Sequence, residues 1–480
     1  MNSWKKPRVY AVLMLFLFPC IGTLAQGNFR AGASMVDITP PLGLQIVGNF
    51  VTPPATHVHD PLTARMLVLD DGQARLAFVI VDNVGVNQEV FTEAGKMIQE
   101  ETGIPDAQVL MASTHTHSAV SAGGEGPQRR GYNLGKPLDD YQRFLARRIA
   151  DGVRIAINNL EPARIGWGAG NLPQHLFNRR WRLKNPIKNP FGQMDQVQFN
   201  PGLNNPNKVE PVGGTDPELY FLAVQAKDGR PIALLANYSL HYVGGVPAGH
   251  ISADYFAVFA RKIAAELSNS QTHPPFVGIL TNGTSGDVNN VDFTKPGKKY
   301  EPYEKMEEVA GDVAREVLRV YKNIRFQDQV QLRSARTNLT LQVRKPSKEI
   351  YERSKKVVAS PEDTKFDHSL ERIFAERAIS MYEEWPDQLE VPLQVVRIGD
   401  LGIRAIPFEV FTETGLELKK KSAFPSNFTI SIANGSWGYL ATPAQHRLGG
   451  YETWLTVSKM EENASEKIVS EILKLEQKVR

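Results

Sequence analysis

Apolar and polar positions fall into short blocks along the chain. Residues 109–112 form a fully apolar run of strand length. It stops at Ser113-Thr114-His115-Thr116-His117-Ser118, and the small residues from Ala119 to Gly124 read as loop. Upstream, residues 65–69 and 74–81 read as two strands around an Asp70-Asp71-Gly72 turn. Residues 90–101 between them and the 109–112 run repeat at helical spacing. A strand–helix–strand order predicts a parallel pair and α/β character.

The pattern continues downstream. Residues 30–50 read as a short strand ended by Pro40-Pro41, and a long amphipathic helix is expected over 138–160. Strands are expected at 165–169, 219–226, 232–238, 276–280, 330–343, 393–398, 402–405 and 428–433. Helices are expected at 254–267, 303–321, 410–420 and 465–480, with charged surface helices over 346–385 hinged at Ser360-Pro361. Residues 173–217, rich in Asn, Pro and Gly, read as a long loop of the kind that forms lids or binding surfaces. No internal repeat, low-complexity tract or linker stands out. The expected architecture is a single α/β domain over 26–480, with layered mixed β-sheets flanked by helices.

Composition changes this picture at the N-terminus. Lys5, Lys6 and Arg8 precede an apolar stretch over 10–21 and a small-residue exit at Gly22-Thr23-Leu24-Ala25. The stretch is too short for a membrane span, so residues 1–25 read as a secretory signal cleaved after Ala25. An extracytoplasmic location, periplasmic or secreted, follows. Lipidation at Cys20 is the rival reading, and Phe18-Pro19 is bulky for it. Removing the segment lowers Lys+Arg from 55 to 52 against 52 Asp+Glu, so the mature chain is neutral and nothing in it asks for nucleic acid. The single cysteine leaves with the signal. That excludes disulfides, thiolate metal sites and a cysteine nucleophile, and any metal must be held by His, Asp, Glu or Tyr.

Chemistry-bearing residues then collect at strand exits: Asp82, His115 and His117, His241, Asp287 and Glu409. Ligands of open α/β sheets bind outside the carboxyl ends of strands. On a strand, positions i and i+2 face the same way, so His115 and His117 are expected to point at one spot. Two imidazoles there serve metal ligation or acid–base work, or else a structural hydrogen-bond pair. Two imidazoles with a carboxylate match a catalytic zinc set that leaves positions for water, whose pKa zinc lowers toward about 7. A second His-x-His, His57-Val58-His59, sits among prolines and reads as loop, structural or substrate-contacting, with metal ligation as the alternative. The tract Asn178-Arg179-Arg180-Trp181-Arg182 is either a grip for a polar or anionic ligand or a solvated face.

These residues, taken in order, resemble the neutral ceramidase family, the neutral/alkaline non-lysosomal ceramidases. The resemblance rests on Gly32-Ala33 with Asp37-Ile38-Thr39, Thr114-His115-Thr116-His117-Ser118 with Gly123-Gly124, Asn178-Arg179, Asn237 with His241, Ser252-Ala253-Asp254, Gly286-Asp287-Val288, Pro407-Phe408-Glu409, and Gly438-Tyr439 followed by Tyr451. It implies a zinc ion held by His115, His241, Glu409 and Tyr439, with His117 beside it in an acid–base role. It implies substrate contacts from Arg179 and Tyr451, and places Asn178 and Asp287 at the substrate side. The implied reaction is cleavage of an N-acyl amide by zinc-bound water, on a small-molecule or lipid-like substrate; the alternatives are a zinc hydrolase on the same scaffold acting on an ester or carbohydrate-linked bond, or a non-catalytic homologue. Two features depart from the family. Its active-site serine is replaced by Asn289, which leaves substrate orientation as the role of that position. The chain also stops about thirty residues after Tyr451, so the family's C-terminal β-sandwich domain is not expected here.

Overall fold

Strand Thr63–Asp70 is buried at every position, because both faces of its sheet are covered. Met66 and Val68 enter one apolar cluster with helices Gln88–Thr102 and Asp140–Asn158, whereas Leu67 and Leu69 enter another, against a second sheet. The structure, a computed structural model, describes residues 1, 4, 29–124, 132–268 and 273–480. All but two positions of the expected signal segment lie outside them.

The main sheet has eight strands in the order Val277–Asn282, Pro231–Tyr238, Glu218–Ala226, Glu161–Asn171, Arg30–Asp37, Thr63–Asp70, Arg75–Val81, Val109–Ser113. A second sheet of four strands runs Leu332–Gln342, Gln388–Ile398, Leu401–Ile406, Ser426–Ser431. Phe78, Ile80, Leu222 and Leu235 of the first sheet share a core with Val396, Ile403, Phe428 and Ile430 of the second. Helices Asp254–Leu267 and Glu304–Tyr321 cover one half of the outer face of the large sheet. Helix Ala464–Val479 covers the outer face of the small one. The layers are thus helix, sheet, sheet, helix.

The strand order reveals a repeat that the sequence does not. Three consecutive antiparallel strands, a helix, and a fourth strand parallel to the third occur three times. The first set is Arg30–Asp37, Thr63–Asp70, Arg75–Val81 and, across helix Gln88–Thr102, Val109–Ser113. The second is Glu161–Asn171, Glu218–Ala226, Pro231–Tyr238 and, across Asp254–Leu267, Val277–Asn282. The third is Leu332–Gln342, Gln388–Ile398, Leu401–Ile406 and, across Thr412–Lys421, Ser426–Ser431. A long helix follows each set: Asp140–Asn158, Glu304–Tyr321 and Ala464–Val479. The first two sets join through an antiparallel contact of Arg30 and Ala31 with residues 161 and 162, and the third packs face to face on them.

Three sequence expectations change. The 165–169 strand runs from Glu161 to Asn171, because its alternating glycines pack closely on helix Glu304–Tyr321 and the loop after it. The 173–217 segment is largely ordered into a three-stranded antiparallel sheet, Met194–Phe199, Arg180–Lys188, Lys208–Pro211. His57-Val58 is a short strand paired in parallel with His250-Ile251 rather than loop.

Candidate metal centre

Strand Val109–Ser113 ends before the histidines, so pleating does not align them. His115 adopts a left-handed backbone (φ 74°), and this turn brings His115 and His117 together. Their Nε2 atoms lie 3.2 Å apart. His241 follows the third strand of the second repeat by three residues and presents its Nε2 at 2.9 Å from that of His115. Glu409 follows the third strand of the third repeat by the same three residues. Its Oε2 is 3.3 Å from His115 Nε2 and 3.5 Å from His241 Nε2. Backbone register supplies Tyr439: Glu409–Val410 pairs in parallel with Tyr439–Leu440, Glu409 opposite Tyr439, and the Tyr439 hydroxyl hydrogen-bonds Glu409.

The proton positions are set by the backbone. His115 Nδ1 is 2.5 Å from the Val84 carbonyl, and His241 Nδ1 is 3.1 Å from the Ser285 carbonyl. Each Nδ1 therefore carries the donated hydrogen, and each Nε2 of a neutral ring is a lone pair. Burial, with Arg179, His115 and His117 nearby, holds His241 well below the ordinary imidazole range. Glu409 is held below the usual carboxylate range: burial pushes it up, but His115, Tyr439 and Arg179 outweigh that. Its Oε2 is buried with no hydrogen-bond donor. With both rings neutral, two nitrogen lone pairs and a carboxylate oxygen face each other in a dry space, which is costly without a cation between them. A cation fits this donor set. Among the described residues, His115, His117 and His241 form the one group of three or more His, Cys, Asp or Glu side chains close enough to hold a metal ion.

Arg179 closes one side. Its guanidinium donates to the Tyr439 hydroxyl and the Gly286 carbonyl, each at 2.9 Å. Burial disfavours its charge, but Tyr439, Glu452 and Glu409 more than restore it. His117 stacks on Tyr242 (centroids 3.7 Å apart), and burial, His115 and Arg179 hold it well below the ordinary imidazole range. Tyr451 joins Phe50, Phe199, Tyr439 and Trp454 in an aromatic wall. A hairpin, tied by Ile46 and Val47 to Val120 and Ala119, brings Gly48 against the His117 ring and Phe50 against Tyr451.

The remaining sequence candidates have other partners. Asp287 accepts from the Thr412 backbone and hydroxyl at the start of helix Thr412–Lys421, and from Asn178 at 2.8 Å. Asp287 and Asn178 thus form a buried brace behind Arg179. Asn289 donates to Asn200 at 2.7 Å and accepts from the Val291 backbone, which places its amide in loop bracing. Asp82 accepts from Thr63 and pairs with buried Arg65 at 2.8 Å, so this strand exit is structural. Sequence reading missed Tyr242, Phe50, Phe199 and the buried Glu452. The signals present were faint: Glu452 adjoins Tyr451, and Tyr242 adjoins His241.

Comparison with known proteins identifies a family and a fold. Residues 29–299 match the family described as neutral/alkaline non-lysosomal ceramidase, N-terminal. Neutral ceramidase B of Dictyostelium discoideum is 21% identical over 272 residues, which take in 55% of this chain and 36% of that relative's length. The crystal structure of neutral ceramidase from Pseudomonas aeruginosa superposes with a TM-score of 0.67 at 17% identity, covering 94% of this chain and 75% of the other. A ceramidase complexed with C2 superposes at 0.69 and 16% identity, with the same coverage. Among the described residues no helix is long and apolar enough to cross a membrane. The chain belongs to the neutral/alkaline non-lysosomal ceramidase family.

Proposed function

We propose that the protein is an extracytoplasmic zinc-dependent hydrolase that cleaves an N-acyl amide bond. The observation that carries this reading is the convergence of His115 Nε2, His241 Nε2 and Glu409 Oε2, with Tyr439 alongside. Histidine nitrogen, carboxylate and phenol oxygen suit zinc, and we assign His115, His241, Glu409 and Tyr439 as its holders. Bound zinc would polarise the acyl carbonyl and acidify water.

The chain's own residues do the rest. Neutral His117 accepts a proton at Nε2 and returns it to the leaving nitrogen. Arg179 stays charged and donates toward negative charge that develops on the acyl oxygen. Tyr451 and its aromatic neighbours bind apolar substrate and exclude water. Asn178 and Asp287 serve the substrate side indirectly, by bracing Arg179. An ester or carbohydrate-linked bond on the same scaffold is the second reading. It is favoured by the Asn200–Asn289 amide pair standing where the family carries serine.

Zinc-loaded protein tested on N-acylsphingosines, N-acyl amino acids and acylated sugars separates the two. Turnover of an N-acyl amide supports the first. Turnover confined to esters or acylated sugars rejects it.

A further inference from the structure

Glu452 is wholly buried and next in sequence to Tyr451, yet it faces two arginines rather than solvent. Its Oε1 takes the Arg179 Nε–H at 3.1 Å, and its Oε2 takes Arg180 Nη1 at 2.8 Å. Consecutive side chains on a regular strand point to opposite faces. Here Arg179 lies in the break between Phe177–Asn178 and Arg180–Lys188, so both arginines reach one carboxylate.

The two halves of this triad are held differently. Arg180 is fixed to the scaffold through Gln445 Oε1 at 3.1 Å and the Gly449 carbonyl at 2.8 Å. Gln445 is itself held by Glu413 at 2.8 Å. Glu452 is thereby anchored on its Arg180 side and offers its other oxygen to Arg179. Arg179 uses its terminal Nη2 on the Tyr439 hydroxyl and the Gly286 carbonyl. The rings of Phe199 and Tyr439 lie 5.0 and 5.5 Å from its central carbon. A rigid planar guanidinium held at Nε aims its terminal nitrogens.

We infer that Glu452 is a positioning residue of the metal centre: anchored by Arg180, it fixes Arg179, and Arg179 fixes the Tyr439 oxygen beside Glu409. It touches neither substrate nor metal. The inference rests on the proposed reading of the centre as a metal site.

The test uses the full chain loaded with cobalt(II), whose visible absorption reports its ligands. Wild type, Tyr439→Phe and Glu452→Gln are compared. The cobalt spectrum of E452Q is expected to move to that of Y439F, with at least a tenfold loss of cobalt affinity and a fall in kcat at little-changed KM. A brace that only holds the fold together would lower the melting temperature and leave the spectrum alone. If E452Q does not fold, Arg179→Lys replaces it, because this variant leaves Glu452 paired with Arg180; the same spectral move is expected. A folded E452Q, or R179K in its place, with wild-type spectrum and affinity overturns the inference while leaving the metal site standing. Wild type that takes up no stoichiometric cobalt overturns both.

Discussion

The Nε2 atoms of His115 and His241 face each other at 2.9 Å, and each ring gives its other hydrogen to a backbone carbonyl, Val84 and Ser285. With both rings neutral, neither nitrogen has a proton to offer the other, and Glu409 adds a third acceptor. In the metal-free protein this arrangement is repulsive, so a cation that binds only the folded state should stabilise it markedly. Free zinc at a hundredfold its Kd contributes about 2.7 kcal/mol. A rise in melting temperature with added zinc is expected for wild type and its absence for His115→Ala, both read by scanning calorimetry. An equal rise in the two proteins would place the binding elsewhere.

Gly48 makes a second relationship testable. A Cβ at this position would lie 2.7 Å from the His117 ring, and φ there is +118°, a region side chains avoid. Gly48→Ala must displace either the hairpin tip or the ring. A shift of the order of 1 Å in a reacting group can cost roughly 10²-fold. The expected result is a loss of that order in kcat/KM on the substrate found by the panel, with zinc affinity retained. Unchanged kcat/KM would show that the hairpin does not set the His117 position.

Asp254 gives a pH dependence whose sign is fixed. It is fully buried, with left-handed backbone, at the start of helix Asp254–Leu267, and accepts backbone hydrogens from Val243, Gly244 and Tyr255. Burial outweighs these bonds and raises its pKa from 3.8 to about 6. A raised folded-state pKa means the native state binds the proton more tightly. The resulting stability is fully present below 3.8 and is lost as pH rises through about 6. The stability of wild type minus that of Asp254→Asn should therefore fall with rising pH across that window, by at most about 1.4 kcal/mol per unit. It should be flat above pH 7. Urea unfolding of both proteins at several pH values reads the difference directly, and a difference that grows with pH would contradict the assignment.

The elements themselves were largely legible. Helix 254–267 and the strands at 74–81 and 232–238 were visible because a buried strand or an amphipathic helix leaves its period in the sequence. The 173–217 segment was not, because its small sheet is held by polar contacts and Asn, Pro and Gly dominate its composition. The threefold repeat was invisible for a related reason. Its three copies share strand order and pairing, and many sequences satisfy those; their lengths and insertions differ, with helices Lys348–Ala359 and Glu371–Glu384 interrupting the third.

The sequence by itself determined histidines and carboxylates at strand exits, in a chain whose only cysteine lies in the expected signal segment, while the phenol of Tyr439 entered only through the resemblance. It also determined the resemblance that ordered them. Only the tertiary structure decided their geometry. His115, His241 and Glu409 belong to three different repeats, His115 after a fourth strand and the other two after third strands, and they meet because these strand ends come together. Side-chain orientation there is set by turns and by hydrogen bonds to carbonyls far away in sequence. Pleating and helical period, the two regularities a sequence carries, end where the strands do. The same limit hid Glu452, whose partners Arg179 and Arg180 lie more than 270 residues away. A buried carboxylate has no periodic signature, and only the packed fold shows which charge it balances.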